Sequence, residues 1–465
     1  MNVKTITERL KLLSKFAGFF LLICVIFREH QGSSYVAAFI FIMYIISSIF
    51  VEKDKLFLKY LPISLSAVFF LVGSFVCDNF KLWLGEINLT TYYVGAFNLL
   101  ALYYWILFTV LGWADNIFSK STKRNPLNIR IRNFSVTSYV YKNGTSIIFF
   151  MGLILFLLVF RNPSFTGDYF NRLDYAINNS NRILNILRVF PAIFCPILVG
   201  PFVNGECEFN VENFIKKVFV PYIPYILFLI WTGNKYGAFI ELIYLFVIPI
   251  ISVIRLNKAT IKKVLKYVPI IITFILILLI LYYILIGNSI TSSMELIGIR
   301  IACQGELWWK LIATKQYMGF RTDLIGDELT LIWQSIVEEA ANKNYGVYHL
   351  MNMLGAPAVV KYYMARGTRF TASGIELAFY SMGYISFLIM PIIYSAIISY
   401  FVNVYANATK EKRVFTSIAA ARFIQITLSA VQQGDWYAYF SVIPILFICI
   451  LIFSQFLSKK GYKNR

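Results

Sequence analysis

The chain has 465 residues, of which 59% are hydrophobic, 18% are aromatic and only 14% are charged. A soluble fold of this length needs more polar surface than this composition supplies, so a single soluble domain is excluded and a bilayer is the expected solvent. The formal net charge is +20. Its concentration in alternate loops favours orientation in a membrane over binding to nucleic acid.

Apolar segments of membrane-spanning length recur along almost the whole chain. Crossing about 30 Å of hydrocarbon takes about 20 helical residues at a rise of 1.5 Å per residue. The sequence therefore predicts an all-α, polytopic membrane protein of about twelve transmembrane helices. The predicted spans are 13–28, 34–51, 61–77, 92–114, 146–161, 184–204, 218–232, 237–254, 268–289, 375–401, 416–433 and 436–456.

Basic residues predict the orientation of these spans, because lysine and arginine prefer short cytoplasmic loops. Twelve crossings place the most basic segments on one side of the membrane, whereas the loops 28–34 and 434–436 on the other side carry few cations. We therefore expect both termini to be cytoplasmic. The basic segments are the N-terminus and residues 53–59, 120–142, 255–266, 410–413 and 459–465.

Two outer segments carry cations close to the predicted membrane surface. The loop before span six contains Arg172 and Arg182, and Arg188 follows about 9 Å deeper along a helix. Lys235 lies at the tip of the hairpin between spans seven and eight. One interpretation is that the arginines reach lipid phosphates and the lysine is solvated. The other is a cationic pocket for a phosphate-bearing substrate, since guanidinium groups offer paired donors.

A long outer segment separates span nine from span ten. It is too long for a simple connector, so we expect it to fold. It divides the chain into residues 1–289 with nine spans, the large extracytoplasmic loop 290–374, and residues 375–465 with three spans and a cytoplasmic tail. Within it, the apolar spacing over 326–341 predicts an amphipathic helix. The loop also contains four arginines among many carboxylates, namely Arg300, Arg321, Arg366 and Arg369.

Two outer residues are candidate general bases. His349 is one of two histidines in the chain, and a structural role is its alternative. Glu376 lies in the first turn of span ten, where it could orient a sugar hydroxyl or cap a neighbouring basic group. With few histidines and no CxxC spacing among the six cysteines, no metal site and no cofactor are predicted.

Several of these motifs occur in a characteristic order. Gly233-Asn234-Lys235 ends a middle span, and the large outer loop follows. Span ten then opens with Glu376 and a Tyr-x-x-Gly stretch, and the last hairpin has a polar, charged turn at 432–436. In this order the chain resembles the O-antigen and capsular polysaccharide polymerases, membrane enzymes that join lipid-linked oligosaccharide repeat units. Lys235 stands where that family more often has arginine.

This resemblance implies a fold similar to C-type glycosyltransferases and a reaction on the outer face of the bacterial cytoplasmic membrane. A chain on undecaprenyl pyrophosphate would donate its anomeric carbon to a hydroxyl of another lipid-linked unit. His349 or Glu376 would act as the base, and the reaction would need no metal and no cofactor. The cations expected to hold the leaving pyrophosphate are Arg172, Arg182, Arg188, Lys235, Arg300, Arg321, Arg366 and Arg369.

The partners implied are a polyprenyl-pyrophosphate-linked oligosaccharide, membrane lipids and a chain-length regulator, with no nucleic acid. Two other functions fit the sequence. A lipid-linked oligosaccharide flippase or another secondary transporter also has about twelve spans with charges inside them. An O-antigen ligase shares the fold and the pyrophosphate chemistry of the polymerase.

Overall fold

A computed structural model describes most of the chain, and the statements below refer to the described residues. These are residues 16–50, 56–124, 135–164, 194–207, 211–233, 236–253, 280, 289–315, 329–330, 332–333, 346–365, 369–441, 444–446 and 448–449.

The described part is almost entirely helical, with one two-stranded hairpin. The hairpin is antiparallel and pairs Trp83 with Thr90 and Leu84 with Leu89. A π-helical turn at Ile215–Phe219 joins α8 to α9, and 3₁₀ turns lie at Gly383–Ile385 and Trp436–Phe440. The elements are α1 (Phe16–Ile26), α2 (Gly32–Phe50), α3 (Leu56–Lys59), α4 (Leu61–Asn79), β1 (Trp83–Leu84), β2 (Leu89–Thr90), α5 (Ala96–Arg124), α6 (Ser135–Val159), α7 (Cys195–Val203), α8 (Val211–Phe214), α9 (Val220–Trp231), α10 (Tyr236–Val253), α11 (Ile290–Ala302), α12 (Glu306–Thr314), α13 (Gly346–Leu354), α14 (Pro357–Ala365), α15 (Gly374–Met382), α16 (Ser386–Lys410) and α17 (Val414–Gln433).

Four helical segments among the described residues are long and apolar enough to cross a membrane: Leu61–Asn79, Ala96–Lys120, Gly374–Lys410 and Val414–Gln433. The predicted all-α class is therefore confirmed, and so is the presence of helices with the length and apolar composition of membrane spans. Shorter apolar helices occur at Phe16–Ile26, Gly32–Ser48, Asn143–Val159 and Glu241–Ser252.

The bundle is organised around α5 and α16, which pack along each other. Helix α4 packs on α5, α17 and α10 pack on α16, and α9 packs on α6. Large aromatic side chains such as Tyr103 and Phe108 are fully buried between them. In contrast, Trp113 and Leu388 on the outside are more than half exposed. Such exposed apolar surface is stable against lipid tails rather than water.

Local sequence determines where the spanning helices begin and end. Pro62 lies in the first turn of α4, where its missing N–H leaves no helical hydrogen bond unmade. Helix α17 ends at Gly434, whose φ of 74° is a left-handed conformation that glycine adopts without steric cost. The predicted span 436–456 consequently begins with a 3₁₀ turn rather than with an α-helix.

A buried polar cluster joins three helices at one end of the bundle. The Lys59 Nζ donates to Asp115 Oδ1 at 2.6 Å and to Asn403 Oδ1 at 3.0 Å. Tyr60 and Asn403 also donate to Asp115, at 2.7 and 2.8 Å. These bonds fix the ends of α3, α5 and α16 at one level. We call this the basic end, because it is continuous with the basic segments 53–59 and 410–413.

The opposite end, which we call the hairpin end, is formed by the β1–β2 hairpin, α11 and α12. The C-terminus of α17 lies beside the start of α4 instead, where Gln432 donates to the Pro62 carbonyl at 3.2 Å. Part of the large loop docks at the hairpin end on the first half of the chain. The Trp308 indole donates to the Ala96 carbonyl at 2.8 Å, and the Trp309 indole donates to the Tyr92 carbonyl at 3.0 Å. Both tryptophans are fully buried. Helix α12 is therefore held against the segment between the hairpin and α5.

The predicted amphipathic helix at 326–341 lies mostly outside the described residues. Its residues 329–330 and 332–333 are helical. Leu329 and Trp333, two members of its apolar face, are more than half exposed.

Candidate functional site

Polar side chains from distant parts of the chain meet in two clusters. We call Arg369, Gln433 and Asp435 the arginine cluster. We call Glu86, Cys303 and Glu306 the carboxyl cluster. Helix α13, which carries His349, packs on both α12 and α15.

The arginine cluster ties the end of the large loop to the last hairpin. Arg369 donates from Nη1 and Nη2 to the two oxygens of Asp435, at 2.5 and 2.6 Å. Its Nη2 also donates to Gln433 Oε1 at 2.8 Å. Ser429 and Tyr437 donate to Asp435 at 3.1 and 3.2 Å. The carboxylate of Asp435 therefore accepts four hydrogen bonds and orients the guanidinium.

This arrangement determines how much of Arg369 is left for a ligand. A guanidinium has five N–H groups, and the bonds to Asp435 and Gln433 use three of them. Burial lowers the pKa of Arg369 and its bonds to Asp435 raise it, with a net upward shift. The group is a fixed cation with two further donors, so its expected role as a pyrophosphate ligand stays a prediction.

His349 lies on α13, directly after Tyr348. Its Nε2 is 3.3 Å from the hydroxyl of Tyr380 on α15, and the imidazole is half-buried. The adjacent Tyr348 interacts electrostatically with Arg369: burial raises the pKa of the Tyr348 phenol, whereas Arg369 lowers it. A half-buried imidazole with one ring nitrogen near a phenol can accept a proton in catalysis.

Glu376, the other candidate base, has a structural contact. The backbone N–H of Ser373 donates to Glu376 Oε2 at 2.6 Å, and the side chain is 1% exposed. The sequence Ser-x-x-Glu at 373–376 is typical of a capping box, in which the glutamate satisfies a free N–H at the helix start. Its carboxylate therefore stabilises the beginning of α15, and its expected catalytic role stays a prediction.

The carboxyl cluster joins the β1–β2 hairpin to the α11–α12 junction. One carboxylate oxygen from each of Glu86 and Glu306 and the Sγ of Cys303 lie within 4.8 Å of one another. Tyr363 on α14 donates to Glu86 Oε1 at 3.0 Å. The backbone carbonyl of Glu86 accepts from the Ala356 N–H at 2.8 Å.

A close contact between two glycines positions Glu306. A Cβ on Gly305 would lie 2.3 Å from the Ser74 nitrogen, and a Cβ on Gly73 would lie 2.6 Å from the Gly305 nitrogen. Only glycine allows this backbone approach of α12 to α4. The contact leaves the next residue, Glu306, with no exposed surface. Burial and the neighbouring Glu86 raise the pKa of Glu306 well above its ordinary value.

The other cations that were expected to bind pyrophosphate lie near one of the two clusters or outside the described residues. Arg300 lies in the last turn of α11, is exposed, and interacts electrostatically with Cys303 and Tyr363. Arg300 therefore accompanies the carboxyl cluster, whereas Arg369 belongs to the arginine cluster. The others lie outside the described residues, namely Arg172, Arg182, Arg188, Lys235, Arg321 and Arg366.

A shallow groove lies on α13 and α14, at the same end of the bundle. It has a volume of about 480 Å³. Its lining is mainly apolar, with Lys361 as its one cation among the described residues. The lining residues are Asn352, Pro357, Val360, Lys361, Met364 and Ala365.

The carboxyl cluster has no signature in the sequence. Glu86 lies in a short turn between two strands of two residues each, and Cys303 belongs to no CxxC pair. Their separation of more than 200 positions gave no spacing to interpret. The one feature of the sequence that could have indicated this cluster is Glu306. This carboxylate directly precedes the apolar sequence Leu-Trp-Trp, and a charge beside such a sequence usually has a partner.

Residues 340–449 match the model of a family described as a family of unknown function, DUF6418. The matched segment contains His349, Glu376 and the whole arginine cluster. It excludes the carboxyl cluster. No curated protein and no solved structure matches the chain.

Proposed function

We propose that this chain is a membrane glycosyltransferase that joins undecaprenyl-pyrophosphate-linked oligosaccharide repeat units into O-antigen or capsular polysaccharide. The observation that carries the proposal is the position of His349. The half-buried imidazole lies beside Tyr380, and the preceding residue, Tyr348, interacts electrostatically with Arg369 of the arginine cluster. A base and a fixed cation in one region of the protein are what transfer from a pyrophosphate requires.

In the proposed reaction, a hydroxyl of the acceptor sugar attacks the anomeric carbon of the donor. The bond between that carbon and the pyrophosphate oxygen breaks, and the hydroxyl proton moves to His349 Nε2. The leaving pyrophosphate takes the bonding electrons and is stabilised by neighbouring cations. Arg300 is the exposed candidate for this contact at the hairpin end, and Arg369 is the buried one.

The proposal includes twelve spans, a C-type glycosyltransferase fold and cytoplasmic termini. A hydrogen bond between two elements supports part of this alternation. The Ser164 N–H, after α6, donates to the Trp231 carbonyl at the end of α9 at 2.9 Å. This contact joins residues that the predicted topology puts on the same, outer side of the membrane.

The test uses surface glycan from cells that lack the gene and carry either the wild-type chain or a variant. We expect His349→Gln to abolish the polymer ladder on electrophoresis while single repeat units are still displayed. The matched control is His30→Gln. His30 is the other histidine of the chain and lies in the exposed turn before α2, on the same predicted side of the membrane as His349. Its hydrogen bond with Tyr93 is accepted by the backbone carbonyl, so the substitution leaves that bond in place.

The outcomes separate the three candidate functions. Loss of the ladder with displayed single units supports the polymerase. Loss of all surface repeat units from the deletion strain indicates a flippase or a ligase, which the cellular location of the lipid-linked units distinguishes. An unchanged ladder in the deletion strain refutes the carbohydrate function, and an unchanged ladder in the His349→Gln strain refutes the assignment of the base.

A further inference from the structure

We propose that Glu86, Cys303 and Glu306 form a binding site for a divalent transition-metal cation of the Zn²⁺ class. The site lies between the β1–β2 hairpin and the α11–α12 junction. It does not depend on the proposed glycosyltransferase function.

The first observation is the convergence of three potential ligands, two carboxylates and one thiol, from two segments of the chain. One atom of each side chain lies within 4.8 Å of the other two. In a tetrahedral Zn²⁺ site, sulfur at about 2.3 Å and oxygens at about 2.0–2.2 Å from the ion lie about 3.5 Å from one another. A closure of about 1 Å therefore converts the present arrangement into a coordination sphere.

The second, independent observation concerns Glu306. Its side chain has no exposed surface, and among the described residues neither carboxylate oxygen has a hydrogen-bond partner outside the carboxyl cluster. A buried carboxylate without a partner is strongly unfavourable in the folded state. A cation between Glu86, Cys303 and Glu306 would satisfy both oxygens of this buried carboxylate.

The protein holds both ligand-bearing segments firmly before any ion binds. The Gly73–Gly305 contact and the buried indoles of Trp308 and Trp309 fix the start of α12. The hairpin is anchored by the bond from the Ala356 N–H to the Glu86 carbonyl. Such preorganisation lowers the entropic cost of assembling a coordination sphere.

The donor set selects the class of cation. Zn²⁺ and related transition metals accept one thiolate together with carboxylate oxygens, whereas Mg²⁺ and Ca²⁺ bind oxygen donors. Binding displaces the Cys303 proton to solvent and leaves a thiolate on the ion. Tyr363 donates to Glu86 Oε1 at 3.0 Å and orients this carboxylate, as outer-shell groups at metal sites do. Three protein ligands leave a fourth position for water or another donor.

The test uses the purified full-length protein in detergent, depleted of metal with a chelator. Cobalt(II) is the probe, because a Co²⁺–thiolate bond gives a charge-transfer band in the near ultraviolet. We expect one Co²⁺ per chain, a charge-transfer band, and loss of that band when Zn²⁺ is added. The variant Cys303→Ser should lose the band, and Glu306→Gln and Glu86→Gln should weaken binding at least about tenfold.

The matched control is Cys24→Ser, which removes another buried thiol from a different part of the bundle and should leave the band unchanged. A wild-type protein without the band, or a Cys303→Ser variant that keeps it, overturns the proposal. Melting temperatures provide a measurement that does not depend on the cysteine variant. Zn²⁺ should raise the melting temperature of the wild type and should not raise that of Glu306→Gln. If the wild type melts at the same temperature with chelator and with Zn²⁺, the proposal is overturned, and a proton shared by Glu86 and Glu306 stabilises the cluster instead.

Discussion

Asp435 and Arg369 form an ion pair whose side chains are only 15% and 24% exposed. The substitution Asp435→Asn removes the negative charge and leaves a largely buried guanidinium without its carboxylate. We expect the free energy of unfolding to fall by about 2 kcal/mol, which is less than for a fully buried pair because water still reaches both groups. Chemical denaturation in detergent micelles measures this change.

The comparison pair is Lys412–Glu206, in which the two side chains are 44% and 49% exposed. Surface pairs of this kind contribute little, so Lys412→Ala should change the free energy of unfolding by no more than about 0.5 kcal/mol. Equal effects of the two substitutions would show that burial of the arginine cluster contributes nothing to stability.

The raised pKa of Glu306 predicts a dependence of stability on pH when a chelator is present. Burial and Glu86 favour the protonated form in the folded chain, whereas the unfolded chain releases this proton near the ordinary glutamate pKa. Below that ordinary value both states are protonated and the stabilisation is complete. Above it, the free energy of unfolding falls as the pH rises towards the raised value.

Glu306→Gln has no proton to release and should remove this decline. Thermal melts of both proteins in chelator between about pH 5 and about pH 9 measure it. Parallel curves for the wild type and Glu306→Gln would contradict the raised pKa.

At the scale of single elements, two substitutions of Glu376 at the start of α15 distinguish a helix-capping role from a catalytic role. Glu376→Ala removes the acceptor of the Ser373 N–H and should cost about 1 kcal/mol of stability. Glu376→Gln keeps an acceptor oxygen and should retain most of that stability. If Glu376 is only a cap, Glu376→Gln cells also keep their polymer ladder, whereas a stable variant without a ladder would assign it a catalytic role.

The junction of α11 and α12 depends on the close approach of Gly305 to α4. In Gly305→Ala the added Cβ would meet the Ser74 nitrogen at 2.3 Å, so α12 must shift. We expect a loss of about 1–3 kcal/mol, measured by denaturation in micelles. Gly298→Ala on α11 is the control, because an added Cβ has no neighbour within 4 Å there and alanine favours the helix. A Gly305→Ala protein as stable as Gly298→Ala would refute the contact.

The sequence predicted the elements that depend on local pattern. The spans expected at 61–77 and 416–433 correspond closely to Leu61–Asn79 and Val414–Gln433, because spanning length and apolar composition are properties of one segment. The carboxyl cluster was not predictable in this way. It needs Glu86 to meet Cys303 and Glu306, and that meeting follows from two glycines whose close contact leaves no periodic signal.

At the scale of the whole molecule, the two ends of the bundle differ in their chemistry. At the basic end, Lys59 pairs with Asp115, and Tyr60 and Asn403 also donate to this carboxylate. The hairpin end carries the carboxyl cluster and, on α13 packed against α12, His349. The distribution of lysine and arginine in the loops predicts that the basic end faces the cytoplasm, which puts His349 and the carboxyl cluster outside.

Labelling of single introduced cysteines tests this orientation. Gly85→Cys lies in the exposed turn of the hairpin and Lys410→Cys lies at the exposed end of α16, at the opposite end of the bundle. On intact cells, a membrane-impermeant maleimide should label Gly85→Cys and should label Lys410→Cys only after the membrane is permeabilised. The unsubstituted chain gives the background from the six native cysteines. If only Lys410→Cys is labelled on intact cells, the orientation is the reverse of the predicted one and His349 lies in the cytoplasm. Lipid-linked units displayed outside could not reach it there, and the proposed polymerase would fall with the topology.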